Sequence, residues 1–407
     1  MTRILVLGAA TVVGVLVGGG TMLAVQGGQA RDGAPSMVRP RPSPSPTVAP
    51  IPPTGTDGPD EQELLLAWTS GGLPSGLGAI AATIPGVTAA AVVGGDPVDL
   101  VRSLDGDGKV VDEPAPGWFI PIDAIAVDPS TFAAVVPAAD RATVASLGAA
   151  EALLGDTSAR LRRIGVGGRL ELAGGGVVAI SGVVPDETIG GAELAVDRAT
   201  GALLGITTER ALLVAHAADR AAVEAALASA VPAGVPVRFR ARGETPYLRA
   251  GDAVLPQIVI KDVFGEFAYR PGPAGERAVE LDPEWVAANI GEAELPLLGR
   301  VRCHRAVLPA IEAAMRDLEL ANLASVVGPE DFDGCFVPRL VRPGAPLSHH
   351  SWGIAVDLHY ADNPTAVVSA QDPRLVEALL RAGFGWGGGW LVPDPAHFEY
   401  VAPPSAR

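Results

Sequence analysis

Five of the six histidines in this 407-residue chain fall after residue 300, and His349, His350 and His359 lie within eleven positions of one another. Two of these belong to the stretch Ser348-His349-His350-Ser351-Trp352-Gly353-Ile354-Ala355-Val356-Asp357. A second stretch, Asp394-Pro395-Ala396-His397-Phe398-Glu399, lies near the C-terminus. Imidazole plus carboxylate is a common zinc donor set, and a catalytic zinc site keeps one coordination position for water. His350, Asp357 and His397 could supply three donors. Asp394 stands three residues before His397, where a tight turn would bring a carboxylate beside that water as general base. Asp357 lies in an apolar run, Ile354 to Leu358, that reads as a buried strand, and an acid buried there needs a partner such as a metal. Two plainer readings stand beside this one. A histidine cluster can be a solvated surface patch, and Asp357 can merely end a strand.

The two stretches, in this order, resemble the zinc D-alanyl-D-alanine carboxypeptidase family of LAS-type metallopeptidases. Its relatives include VanY-like carboxypeptidases and the L-alanyl-D-glutamate endopeptidases of phage endolysins. The resemblance rests on Ser348, His350, Gly353, Ala355 and Asp357, then on Asp394, His397, Phe398 and Glu399. Between them, Gly383-Phe384-Gly385-Trp386-Gly387-Gly388 is similar to the family's G-F-x-W-G-G stretch. Asp333 to Arg339 is similar to the segment carrying its substrate-binding arginine, with Arg342 close by. The resemblance spans roughly residues 295–402. It implies that His350, Asp357 and His397 hold zinc, and that Asp394 takes a proton from the attacking water and passes it to the leaving amine. Arg339 would face the substrate carboxylate or the developing oxyanion, Ser348 would orient the site, and Glu399 would brace a ligand histidine. His349, His304 and His359 fall outside the motif. Trp352, Trp386 and Trp390 either wall the cleft or pack in the core. The implied substrate is a peptidoglycan stem peptide, cleaved as a carboxypeptidase or as an endopeptidase. The D-x-x-H form of the second motif leans toward the endolysin-like branch.

The rest of the chain must place this site. Residues 4–26 carry no charge and are about long enough to span a bilayer, roughly 20 residues. Residues 1–30 therefore read as an uncleaved signal anchor, with a cleaved signal peptide as the rival. Residues 31–60, rich in Pro and Ser, read as an extended, disordered stalk. Both readings carry residues 61–407 out of the cytoplasm, as a single-pass anchored or secreted protein. Cys303 and Cys335 are the only cysteines, and outside the cytoplasm a lone pair is usually a disulfide. Residues 61–290 alternate between strand and helix patterns and carry no catalytic constellation. Helices are expected over residues 73–84 and 138–154, the latter broken at Gly148, and a hairpin at Gly174 to Gly176. Residues 210–217, a helix capped by Asp219 and residues 235–242 read as a βαβ unit. The phrases Ile84-Pro85-Gly86-Val87 and Ala126-Val127-Asp128-Pro129 resemble extracytoplasmic domains of MacB/FtsX-type permeases. No residue role transfers from that likeness.

Composition bounds the partners. The chain is 48% hydrophobic and 19% charged, enough apolar residue to bury a core. A net charge of −16 repels a phosphate backbone, so no nucleic acid is expected. The fold class expected is α+β: an anchor and linker, an α/β-type middle region of unknown role over 61–290, and a zinc peptidase domain over 291–407 with a small antiparallel sheet and flanking helices. The expected partners are peptidoglycan peptides and, through the N-terminal helix, a membrane. The oligomeric state is not legible. The alternative of another class is a C-terminal domain that binds zinc and wall peptide without turnover, as hedgehog signalling domains share this architecture. The upstream region would then be a partner-binding or permease-accessory module.

Overall fold

The structure, a computed structural model, describes residues 63–401. The expected anchor (1–30) and linker (31–60) lie outside the described residues. Among the described residues no helix is long and apolar enough to cross a membrane.

Residues 63–241 contribute ten strands to one mixed sheet. They are β1 (Glu63–Thr69), β2 (Val87–Leu104), β3 (Val110–Asp112), β4 (Ile120–Val127), β5 (Glu151–Gly155), β6 (Arg169–Leu172), β7 (Val177–Val184), β8 (Leu194–Asp197), β9 (Glu209–His216) and β10 (Val237–Ala241). The order is β10-β1-β9-β2-β4-β8-β5-β7-β6, with β3 on β2, and β6 returning to pair with β2. Six strands, β2, β4, β8, β5, β7 and β6, therefore close into a ring. β2 can join two assemblies because it is 18 residues long. Residues 87–94 pair with β9, and residues 94–104 pair with β4 and β6. Side chains alternate along each strand, so one set fills the ring. Ile120, Ile122 and Ala124 of β4, Leu170 and Leu172 of β6, Val178 and Ile180 of β7 and Leu194 and Val196 of β8 form one cluster. The alternate residues Ile125, Leu153 and Ala195 join Leu64, Leu66, Trp68 and Leu213 in a second cluster on the other face.

Three expectations change here. Residues 138–154 are helical only over Arg141–Ala145, and Glu151–Gly155 is strand β5. Pairing with β7 and β8 buries Leu153 and Leu154 there, and this outweighs local helix propensity. The helix at 73–84 is limited to Leu77–Ala81. Asp219 does cap the helix Arg220–Ala230, accepting from Ala222 N at 3.1 Å. The strands on either side of that helix are not neighbours, however: β1 lies between β9 and β10, antiparallel to both. Across the whole sheet only β4–β8 and β5–β7 are parallel.

The C-terminal region holds two ribbons, β11 (Tyr269–Pro271) with β12 (Val279–Leu281) and β13 (Ile290–Leu295) with β14 (Gly299–His304). It also holds a four-stranded antiparallel sheet: β15 (Phe332–Gly334), β16 (Ala355–Leu358), β17 (Phe384–Trp386) and β18 (His397–Tyr400), in the order β15-β16-β18-β17. Helices Leu308–Leu320 and Pro373–Arg381 bury Ile311, Met315, Leu375 and Leu379 in the same core. That core also takes in Leu255, Ile260, Phe264, Phe267 and Trp285, which precede residue 291.

The junction with the large sheet is charged. Lys261, one of two lysines in the chain, is 1% exposed. Its Nζ lies 2.8 Å from Glu193 Oε2 and 3.0 Å from Glu266 Oε1. Arg162 pairs with the same two carboxylates. Burial pushes the Glu266 carboxyl pKa up, but Lys261 and Arg162 outweigh it and hold it at about 2. A depressed carboxylate contributes stability that is complete above its unfolded value near 4.5 and is lost as pH falls toward 2. Acid unfolding followed by circular dichroism should show this loss, and Glu266→Gln should flatten it. Removing the buried cation is harsher. Lys261→Ala should cost about 3–5 kcal/mol in urea unfolding at pH 7, because buried Glu193 and part-buried Glu266 then share one guanidinium.

Candidate metal centre

Local structure explains the first motif. Ser348 caps a single 3₁₀ turn, His349–Ser351, with its Oγ accepting from His350 N at 3.4 Å. Gly353 then takes a φ of 67°, and a Cβ there would lie 2.7 Å from His304 N. Only glycine fits this reversal, which feeds the chain into β16. The second motif arrives by sheet register: Asp357 of β16 lies directly opposite His397 of β18. Cross-strand neighbours share a face, so the pairing puts a carboxylate beside an imidazole.

The three donors meet. His397 Nδ1 is 3.0 Å from Asp357 Oδ1, His350 Nε2 is 3.1 Å from Asp357 Oδ2, and the two histidine nitrogens are 3.2 Å apart. A tetrahedral site with bonds of 2.0–2.1 Å has ligand-to-ligand edges of about 3.3 Å, so these spacings fit zinc. The far nitrogens are also engaged. His350 Nδ1 donates to the Cys335 carbonyl at 2.9 Å, which leaves Nε2 free to ligate. His397 Nε2 lies 3.5 Å from Glu399 Oε1. Burial lowers the pKa of His350, toward the neutral form that metal ligation requires. Burial opposes charge on His397 too, but Asp357 and Glu399 outweigh it and raise its pKa to about 10. Burial likewise opposes charge on Asp357 and Glu399, yet the facing histidines hold both well below the carboxylate range. Among the described residues His350, Asp357 and His397 are the group able to hold a metal ion.

The other expected residues fall around this group. Arg339 Nη2 is 3.4 Å from Asp357 Oδ2, and its buried Nε has no hydrogen-bond partner. Arg342 is exposed and lines a cavity together with Arg339, Asp357 and His397. Asp394 precedes β18 in a turn closed by His397 N donating to its carbonyl at 3.0 Å, and its Oδ1 accepts from Thr365 Oγ1 at 3.1 Å. Trp390 lies 5.2 Å from the His397 ring and lines the cavity, whereas Trp352 is 1% exposed and packs on Phe267. Trp386 stacks on Phe398 and donates to the Pro395 carbonyl. His304 is buried against the Phe264 carbonyl, with burial pushing its pKa down to about 4. His359 contacts Asp331 and Gln371.

Two features of the site lie beyond sequence reasoning. His349 falls outside the motif, yet its Nδ1 stands 3.1 Å from Glu399 Oε2, so Glu399 bridges it to His397. Its place beside His350 is the only signal in the sequence. The second is the large-sheet wall of the cleft. Asp357, Asp394, His397 and Arg339 line a cavity of about 1260 Å³, and Leu66, Trp68, Phe132 and Leu213 of the large-sheet region line it too. No local motif marks that wall.

Cys303 and Cys335 form a disulfide, with Cα atoms 5.4 Å apart and a separation of 32 positions in sequence. The bond fixes the residue whose carbonyl orients His350. The double variant Cys303→Ala/Cys335→Ala should lose about 2–5 kcal/mol in denaturant unfolding. It should also bind zinc about 10-fold more weakly in a chelator competition, the scale found when an outer partner of a ligand is disturbed.

Residues 342–400 match the protein family described as D-alanyl-D-alanine carboxypeptidase. The match covers a small part of the chain, and includes the three donors and Asp394 but not Arg339. It supports a peptidase for this region. A search of curated proteins finds no match. Among solved structures, the chain is similar to the periplasmic region of MacB from Actinobacillus actinomycetemcomitans, at 9% identity over 41% of this chain and 81% of that one, with a TM-score of 0.28. It is also similar to the extracellular domain of the noncanonic ABC-type transporter YknZ from Gram-positive bacteria, at 10% identity over 44% and 98%, with a TM-score of 0.30.

Proposed function

We propose that this chain is an extracytoplasmic zinc metallopeptidase that hydrolyses peptidoglycan stem peptides. The observation that carries the reading is the His350–Asp357–His397 group, with donor spacings of 3.0–3.2 Å, whose Asp357 and His397 line a large cavity that Asp394 also lines. Zinc held there would acidify a water and polarise the scissile carbonyl. Asp394 takes the proton as the water oxygen attacks the carbonyl carbon. It then delivers that proton to the leaving nitrogen as the C–N bond breaks, giving a carboxylate and an amine. Arg339 stabilises the charge on the carbonyl oxygen or binds a substrate carboxylate. Ser348 fixes the turn that presents His350, and Glu399 orients His397 with His349 behind it.

The cavity exceeds the roughly 300–1,000 Å³ of ordinary small-ligand pockets. Its size favours cleavage within a longer peptide over removal of one terminal residue. Export by residues 1–30 and the stalk 31–60 would place the domain where its substrate lies.

The test uses the purified full-length chain. Bound zinc is measured by elemental analysis, and stem-peptide digestion is followed by mass spectrometry. One zinc per chain with cleavage supports the reading, and the fragment masses name the bond. Zinc without cleavage of any stem peptide overturns it in favour of a binding module. No zinc after remetallation removes the site itself.

A further inference from the structure

The loop that carries Asp394 is held from outside the region that resembles a peptidase. Residues 387–394 run from the 3₁₀ turn Gly387–Gly389 through Trp390 and Leu391 to Asp394. The ends of this loop are tied within the C-terminal region. Asp394 N donates to the Gly387 carbonyl at 2.9 Å, and Ala366 N donates to the Pro393 carbonyl at 2.6 Å. Its middle is tied to the large-sheet region instead. Leu391 N donates to Asp252 Oδ2 at 2.6 Å, and the Gly389 carbonyl accepts from Arg238 Nη2 at 3.0 Å. Arg238 and Asp252 are joined to each other at 2.5 Å. Leu391 packs against the sheet's apolar cluster.

The two residues are themselves well fixed. Arg238 belongs to β10, where it lies opposite Trp68 of β1, one pair from the end of the ladder. Asp252 sits on an irregular segment that the next outward side chain of β10 holds down. Arg240 donates to the Arg249 carbonyl at 3.1 Å and to the Gly251 carbonyl at 3.3 Å. Hydrogen bonds with an ionised partner are shorter and roughly twice as strong as neutral ones, and three of them meet at this point.

We propose that Arg238 and Asp252 are a positioning pair that holds residues 389–391 and thereby sets Trp390 and Asp394 in the site. The proposal rests on the peptidase reading above. It gives the upstream sheet a part in the reaction: the peptidase-like segment alone lacks the groups that fix the middle of its own base-bearing loop. A displacement of about 1 Å in a positioned group can cost on the order of 100-fold in rate, so the effect should appear in kcat.

The test compares full-length wild type with Arg238→Ala, Asp252→Ala and Asp252→Asn, the last keeping an acceptor for Leu391 N. Three quantities are read on each zinc-loaded protein: amide hydrogen exchange over residues 387–394, zinc content, and kcat and KM on a stem peptide. Exchange should rise in that segment alone, zinc content and KM should hold, and kcat should fall about 10–100-fold for the alanine variants. Asp252→Asn should recover part of the loss. The double alanine variant should be no worse than the worse single variant, as expected for residues acting as one unit. Unchanged exchange, or faster exchange with wild-type kcat, overturns the pair's role. So does a kcat loss that comes with zinc loss or with exchange rising throughout the C-terminal core. Wild type that cleaves no stem peptide sinks the peptidase reading and this role together. Active wild type with unaltered variants sinks the pair alone.

Discussion

His350→Ala is expected to abolish both zinc retention and stem-peptide cleavage. The imidazole is fully buried, its Nδ1 is committed to the Cys335 carbonyl, and its Nε2 stands within 3.2 Å of both other donors. No described histidine or carboxylate outside the site is grouped to replace it. Disturbing a partner of a ligand already costs about 10–100-fold in metal affinity, so loss of a donor should exceed that range. Chelator competition measures the affinity, and circular dichroism checks that the fold survives the cavity left behind. Asp357→Asn gives a second route to the same end. It keeps the side-chain volume between His350 and His397 but removes the negative charge that both histidines face. Zinc bound at wild-type affinity in both variants would remove the metal centre described here.

Asp394→Asn is expected to separate binding from turnover. Its carboxylate is not among the three donors, and its contact is Thr365 Oγ1, which an amide oxygen can still accept. Zinc content should therefore match wild type. Cleavage should fall by about 10²–10⁴-fold, the usual contribution of a positioned general base. Thr365→Val should lose much less, because it only releases one side of the carboxylate. A variant that cleaves at the wild-type rate would move the base elsewhere in the cavity, and Glu399 would be the next carboxylate to test.

The contrast between these side chains and the upstream region shows what each level of organisation decides. Ser348, His350, Gly353 and Asp357 lie within ten residues, and Asp394, His397 and Glu399 within six. Their chemistry is local: a capped turn, a glycine reversal and a short strand bring each set into shape by nearest-neighbour rules. Such rules are visible in a single chain, and so is the hairpin at Gly174 to Gly176, where β6 and β7 pair as expected. Residues 138–154 show the opposite case. Their alanine-rich composition favours helix, yet Leu153 and Leu154 go into the sheet because the strands beside them are already there to bury them.

The amino-acid sequence by itself determined the candidate donor types, the candidate base, the cysteine pair and the net charge of −16. Tertiary structure alone decided how they meet. Asp357 faces His397 through the register of two strands some forty residues apart, and β2 closes the ring by pairing with β6 about seventy residues later. Arg238 reaches Gly389 across 151 residues. These contacts depend on which apolar faces are left to cover one another once every element has formed. Burial of that kind is non-directional and belongs to the whole chain, so no short stretch of sequence carries its signature.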